Sequence, residues 1–414
     1  MTTTLAGPRI GFLGNVCNLF YDYAQRLRDD GRDAHLFLVK RFAQEDPFQA
    51  YGLPPEAAAW IHARPWRGRY DWEMRPDAPD VAHLKSCATL HGQGRLLTWA
   101  LKADRPYVWQ PYGSDFYSLP FPAFRLSAPL ARMTPRLFAA NVSSAIEHHY
   151  TARHFRSAIA HASRIVITGW FDRHWIRGYR MLERLGRLDA VFPLPFPIDC
   201  RTFSPAARKN AWPEPALQSR LDAFDVVAFY PSRQLFTAEG KRLDGMRADD
   251  PGKRNDAFYR GLAKARRRGA NVGVVIVDKA NPDTPAAKAL IESLGIADAV
   301  VWIPAMPRVK LVDWYRAADL VVDCFGGGAP GSISFEAMAC GTPVMQWIDF
   351  DAGREWGLDA SRFYEKPVPV LNCRTEDEIA ETFESHSRAA LNAAGREARQ
   401  WALENVDLGA ALAR

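Results

Sequence analysis

Residues 318–344 hold the densest chemistry in the chain. They read Ala318-Asp-Leu-Val-Val-Asp-Cys-Phe-Gly-Gly-Gly-Ala-Pro-Gly-Ser-Ile-Ser-Phe-Glu-Ala-Met-Ala-Cys-Gly-Thr-Pro-Val344. The pattern is a strand, a glycine-dense loop, a helix start, and a glycine stop before another strand. Backbone N–H groups at such a helix start point at whatever lies above the loop, and the helix dipole adds positive potential there. The ligand this suits is a phosphate or diphosphate. Glycines 326, 327, 328 and 331 let the backbone approach a ligand without side-chain interference. The bland alternative is a tight turn in a large α/β protein. Gly326, Gly328 and Gly331 also satisfy GxGxxG, and Asp349 lies 18 residues beyond, so a dinucleotide site is a second reading. Against it stand the loop's late position in the chain and Pro330, which has no backbone donor to offer.

The elements that must position this loop can be read along the chain. In the front half, Arg9–Gly14 is a short strand and Leu19–Asp30 an amphipathic helix with Leu19, Tyr23, Arg26 and Leu27 on one face. Gly31 stops that helix, and His35–Val39 is the next strand. Tyr107–Gln110 and Arg164–Thr168 are further strands. A Pro-rich run, Phe192-Pro-Leu-Pro-Phe-Pro-Ile-Asp199 and on to Pro205, reads as an extended connection. Beyond it strands and helices alternate. The strands are Val226–Pro231, Val272–Val277, Val300–Ile303, Leu320–Cys324 and Thr342–Trp347. The helices are Asn255–Arg268, Ala286–Leu294, Lys310–Ala318 and Ile333–Ala339, with a closing helix at Ala389–Glu404. Such alternation predicts an α/β chain with parallel, doubly wound sheets. The expected domains are residues 1–197 and 198–388, followed by a C-terminal helical segment, 389–414.

Several of these pieces resemble, in order, the retaining nucleotide-sugar glycosyltransferases of the GT-B fold (family four, group 1 type). Phe335-Glu-Ala-Met-Ala-Cys-Gly-Thr-Pro-Val344 resembles the family signature. Tyr230-Pro-Ser-Arg233 stands where the family places its diphosphate-binding arginine, and Gly252-Lys-Arg-Asn-Asp256 is similar to its lysine-glycine segment. Trp302-Ile-Pro-Ala-Met-Pro307 resembles the loop packing on the nucleobase. The Gly14-Asn15 loop is similar to the first donor-facing loop, and Pro111-Tyr-Gly-Ser-Asp115 resembles the fourth-strand motif of one subgroup. The resemblance implies two Rossmann-like domains facing across a cleft, with the closing helix crossing back to the front domain. It implies transfer of a sugar from a nucleoside diphosphate, UDP or GDP, to a hydroxyl of a glycan, glycolipid or lipid-linked saccharide, with retention.

By the resemblance, Arg233, Lys253, Tyr112 and Asp115 are the catalytic candidates. Donor contacts fall to Gly14, Asn15, Arg233, Lys253, Pro304, Met306, Gly328, Gly331, Ser332 and Glu336, and acceptor contacts to Tyr112, Ser114, Asp115 and His91. The chemistry is coherent: a leaving nucleoside diphosphate develops negative charge, and fixed cations and backbone dipoles stabilise it. Arg233, Lys253 and the amides near Gly331–Ser332 would serve without a metal or other cofactor, and Glu336 would accept from ribose hydroxyls. Two positions depart from the family pattern. Counting eight residues back from Glu336, where relatives have a second glutamate, lands on Gly328, and Tyr112 replaces a frequent histidine.

Composition narrows the partners. The 414 residues carry a net charge of +6, with 48% hydrophobic residues, so wholesale disorder is excluded, and no apolar run is long enough to span a bilayer. Six scattered cysteines without a CxxC pair fit neither a disulfide framework nor a zinc site, and with no leader-like N-terminus the expectation is cytoplasmic. Arg125, Arg132 and Arg136, and eight arginines from Arg153 to Arg187, suggest a basic face on the front half. That face would meet an anionic acceptor or the inner membrane surface, or is simply solvated; no nucleic-acid motif accompanies it. The charged stretch Gln234–Gly252 reads as a loop over the site or a solvated insertion. A nicotinamide- or nucleotide-dependent enzyme and a non-catalytic GT-B-like binding protein remain the alternatives.

Overall fold

The computed structural model describes residues 6–13, 19–40, 55–65, 80–85, 106–111, 159–168, 176–206, 210–243, 252–357 and 359–412. The chain divides into two compact units, the main boundary falling between Leu194 and Pro195. Among the described residues no helix is long and apolar enough to cross a membrane.

The described residues of the first unit form seven strands: β1 (Ala6–Leu13), β2 (Arg32–Lys40), β3 (Ile61–Pro65), β4 (Val81–Lys85), β5 (Tyr107–Gln110), β6 (Arg164–Thr168) and β7 (Val191–Leu194). They pair in parallel in the order β3-β2-β1-β4-β5-β6-β7. Helix α1 (Leu19–Asp29) buries Phe20, Tyr23 and Ala24, with the Phe20 ring 5.4 Å from that of Phe12 on β1. Arg26, expected on this face, instead pairs with Asp30 one turn on. Gly31 ends the helix at φ +80°, a conformation that costs glycine little. The Pro-rich connection begins as strand β7, which contains Pro193; as the edge strand it can lack a ladder donor on its outer side. The arginine-rich stretch holds helix α2 (Ile176–Arg184), which buries Tyr179 and Leu182 and leaves Arg180 and Arg184 exposed.

The second unit has strands β8 (Val226–Tyr230), β9 (Val272–Asp278), β10 (Val300–Pro304), β11 (Leu320–Val322), β12 (Val344–Gln346) and β13 (Leu371–Asn372). All pair in parallel, in the order β10-β9-β8-β11-β12-β13. Every residue of β8, β11 and β12 is buried. Unbroken apolar runs of this kind belong to strands covered on both faces. The covering helices that bear on the site are α3 (Ala238–Leu243), α4 (Asn255–Arg267), α5 (Thr284–Ser293), α6 (Arg308–Ala317), α7 (Ser332–Ala339), α8 (Glu376–Ser385) and α9 (Arg388–Asn405). Part of the supposed loop after Arg233 is thus helical, as α3.

Helix α9 is seated on α7. Trp401 stacks on Phe335 with centroids 6.2 Å apart, and Arg399 donates to the carbonyls of Ala339 and Phe203. Contact is closest at Gly395, where a Cβ would lie 2.3 Å from the Gly341 carbonyl oxygen. Gly395→Ala must push the two helices apart, and a loss of about 1–3 kcal/mol is expected, read as a lower urea midpoint at unchanged slope.

Candidate functional site

In a doubly wound sheet, ligands bind beyond the carboxyl ends of the strands, where the strand order reverses. In the second unit that point lies between β8 and β11. The chain leaves β8 through Pro231-Ser-Arg233 and leaves β11 through Asp323-Cys-Phe-Gly326. The structure therefore brings Arg233, Lys253 and the glycine-dense loop to one place, though they are spread over 90-odd residues of sequence.

Lys253 is held by its backbone on both sides. Its N–H donates to the Leu235 carbonyl at 2.6 Å, and its own carbonyl accepts from Phe325 N–H at 3.1 Å. The flanking residues turn sharply, Gly252 at φ +65° and Arg254 at φ +52°. Arg254 is not glycine, so this excursion stores backbone strain of order 1–3 kcal/mol, tolerated where surrounding contacts over-determine the chain. The Lys253 ammonium lies 3.4 Å from Asp323 Oδ1, on a side chain a quarter exposed beside a carboxylate that is buried. Burial pushes its pKa down, but the charge of Asp323 and the hydrogen bond to it outweigh that and Arg233's repulsion. The net direction is up, so the ammonium stays charged at neutral pH.

The Arg233 loop is equally fixed. Buried Asn255 accepts from Leu235 N–H at 2.8 Å and donates to Tyr230 Oη and the Arg233 carbonyl at 2.7 and 3.3 Å. Tyr259 Oη donates to Gln234 at 2.5 Å. Buried Asp283 accepts from the N–H groups of Phe236 and Thr237 at 2.6 and 2.8 Å, securing the approach to α3. Arg233 itself is exposed on this pinned loop.

The glycine loop divides into two halves. Gly326 and Gly327 turn their N–H groups to Cys324 Sγ, both at 3.4 Å, so these amides serve the loop's own shape. Burial drives the Cys324 pKa up, against the opposing charge of Lys253, which keeps it a neutral thiol. Gly331, in extended backbone, precedes α7, and the first amides of that helix lack intrahelical partners. A Cβ on Gly331 would sit 3.1 Å from Asp323 Oδ2, so the helix start and Lys253 lie on either side of one carboxylate.

Glu336 on α7 is buried. One of its oxygens accepts from Arg308 Nε at 2.7 Å and the other from Tyr315 Oη at 2.9 Å. Arg308 opens α6 directly after the loop bearing exposed Pro304 and half-buried Met306, so this pair ties that loop to α7. Ser332, the first residue of α7, is partly exposed. Gly14, Asn15, His91, Tyr112, Ser114 and Asp115 lie outside the described residues, as do Arg125, Arg132 and Arg136. The polar groups to which the sequence alone assigns no site role are Ser232, Asn255, Asp283, Asp323 and Ser334. Asp323 and Asn255 each carry a local signal, an acid ending an apolar strand before a glycine run and an amide opening a helix.

Gly328 explains its own departure from the family pattern. It adopts φ +75°, and a Cβ there would meet Trp347 and Asp349 at 3.2 Å each, with Trp347 itself beneath the Arg374 guanidinium. Gly328→Glu is therefore expected to lower stability by about 1–3 kcal/mol, read as a lower denaturant midpoint; an unchanged midpoint contradicts this geometry.

Comparison with known proteins adds a family match over part of the second unit. Residues 249–346 match the family model described as glycosyl transferases group 1, a span that contains Lys253, Asp323, Gly328 and Glu336. The D-inositol 3-phosphate glycosyltransferase of Mycolicibacterium smegmatis is 28% identical over 190 residues, 46% of this chain and 38% of that protein. The protein of the same name from Mycobacteroides abscessus is 40% identical over 88 residues, 20% of each chain. The chain thus spans well under half the length of these curated relatives. Among solved structures, HepE of Anabaena in complex with UDP and glucose superposes over 98% of this chain and 97% of its own, with a TM-score of 0.59 at 16% identity. Sucrose-phosphate synthase of Thermosynechococcus elongatus gives 0.61 at 14% identity, with the same coverage. Identities this low speak to fold alone. By its fold the chain is an α/β protein of the GT-B type that these solved structures share, and its second unit holds a segment that matches the group 1 glycosyl transferases model.

Proposed function

We propose that the protein is a glycosyltransferase that takes a sugar from a nucleoside-diphosphate donor bound by the second unit and passes it to a hydroxyl acceptor. The observation that carries this reading is the meeting of Lys253, Arg233 and the start of α7 at the reversal point of a parallel sheet. As the glycosidic bond breaks, negative charge builds on the leaving diphosphate. Two cations on pinned backbone, together with amides near Gly331 and Ser332, would stabilise that charge without reorganising, which is where such sites derive most of their rate. On this reading no metal is needed, since the lysine and arginine meet the diphosphate directly.

The nucleoside end would lie over the Pro304–Met306 loop. Each Glu336 oxygen keeps a second acceptor lone pair beyond its bond to Arg308 or Tyr315, and a ribose hydroxyl would use one of these. Gly14 and Asn15 would face the donor, and Tyr112, Ser114, Asp115 and His91 the acceptor, for which a glycan or lipid-linked saccharide is the proposed class. Retention follows the family resemblance, with a donor phosphate oxygen as base. UDP is the first nucleotide to try, because HepE, the structural neighbour, was crystallised with it. An anionic membrane face and a cytoplasmic setting complete the proposal.

A ligand that binds only the folded chain raises its melting temperature. UDP or GDP is expected to do so and NAD(H) not; a rise with NAD(H) and none with any nucleoside diphosphate would overturn the reading in favour of a dinucleotide enzyme. Arg233→Ala, which changes an exposed side chain, should weaken nucleotide binding about 10- to 100-fold, the loss of one or two charge-assisted hydrogen bonds. If a nucleotide sugar binds but is neither hydrolysed nor transferred, a non-catalytic binding protein is the better description.

A further inference from the structure

Asp323 lies under the proposed diphosphate site without facing it as a ligand would. Its side chain is buried, and both oxygens are occupied. Oδ1 accepts from Ser232 Oγ at 2.7 Å and lies 3.4 Å from Lys253 Nζ, and Oδ2 accepts from Ser334 Oγ at 2.8 Å. These three partners come from three segments: the loop after β8, the turn before α4, and the first turn of α7. A second layer stands behind them. Ser334 Oγ is also 2.9 Å from Oε1 of Gln346, which is fully buried on β12. Ser334 has one hydroxyl proton, and the carboxylate can only accept. The charged carboxylate is the stronger acceptor, so the proton goes to Asp323 rather than to the neutral Gln346 oxygen, whose own NH2 has no partner among the described residues.

We propose that Asp323 is the positioning residue of the donor site, an anion that holds the Lys253 ammonium and the start of α7 at a fixed separation so that both meet the same diphosphate. This rests on the glycosyltransferase reading above. The carboxylate does two things for Lys253. It fixes the ammonium beside the helix start, and it keeps the lysine charged against burial. The other charged or titratable groups near the ammonium are Cys324, a neutral thiol on the same loop as Asp323, and Arg233, whose repulsion favours loss of the proton. Tyr230, buried at the end of β8, faces Asp323 and Cys324 and is itself held neutral by burial. With the Asp323 charge removed, burial and Arg233 are left to act on Lys253, and its proton is lost at lower pH.

The test compares Asp323→Asn with the wild type by titration calorimetry, using UDP and uridine, or GDP and guanosine if GDP is what the wild type binds. The nucleoside lacks the diphosphate, so it reports the rest of the site. Asp323→Asn is expected to weaken UDP about tenfold or more while uridine affinity stays within about twofold, because only the charge-assisted contacts change. Its UDP binding should also fail on the alkaline side at a lower pH than that of the wild type. A purely structural role would weaken UDP and uridine together and leave the pH profile in place, and that result overturns the proposal. If Asp323→Asn does not fold, Ser334→Ala and Ser232→Ala decide, with UDP weakened more than uridine in both; equal or absent effects overturn it. A wild type that binds none of UDP, GDP, ADP or dTDP defeats the donor-site reading and this proposal with it. Normal UDP binding in Asp323→Asn, with an unmoved pH profile, defeats this proposal alone.

Discussion

One buried carboxylate, that of Asp323, has to be satisfied for the second unit to close at the carboxyl ends of its central strands. An acid taken from water into a protein interior is costly unless each oxygen finds donors or a counter-charge. Here the donors are two serine hydroxyls and a lysine, from the loop after β8, the turn before α4 and the first turn of α7. Satisfying the carboxylate therefore fixes where those segments stand relative to one another. The same demand makes the Lys253 turn, with its two left-handed residues, worth forming.

The sheet sets the place of this arrangement. β8 and β11 are neighbours from which the chain winds in opposite directions, which leaves a crevice beyond their carboxyl ends. Loops that leave both strands must turn apart there. Buried Asn255, Asp283 and Gln234 close the backbone of the loop after β8, and Cys324 and Gly328 close that of the loop after β11. Arg233 projects from the first of these rigid loops and the amides of α7 open from the second. Cations and dipoles fixed before a ligand arrives are what a diphosphate leaving group requires.

Much of the second unit can be read from residue order alone, since β8, β9 and β11 are apolar runs and Gly295 and Gly341 end their helices at positive φ. Strands β3 and β4 are harder to see, because Ile61-His-Ala-Arg-Pro65 and Val81-Ala-His-Leu-Lys85 are short and mix polar residues into their alternation. Helix α2 hides behind its arginines, although Tyr179 and Leu182 mark its buried side. In the site, Arg233, Lys253 and Gly331 are visible through motif order. The bond from Ser232 to Asp323 spans 91 residues, and no local pattern announces a tertiary contact of that kind. The backbone conformation of Gly328 is invisible for a similar reason: what crowds it, Trp347 and Asp349, comes from beyond the next strand.

The central claim is that the reversal point between β8 and β11 is where a nucleoside diphosphate sits. A crystal structure of the chain grown with UDP tests it most directly. The account predicts the diphosphate within hydrogen-bond distance of Lys253 Nζ and of the amides at Gly331–Ser332, with the Gly326 and Gly327 amides still turned to Cys324. A nucleotide bound elsewhere in the fold, or a diphosphate seated on Gly326 and Gly327 away from Lys253, would contradict it.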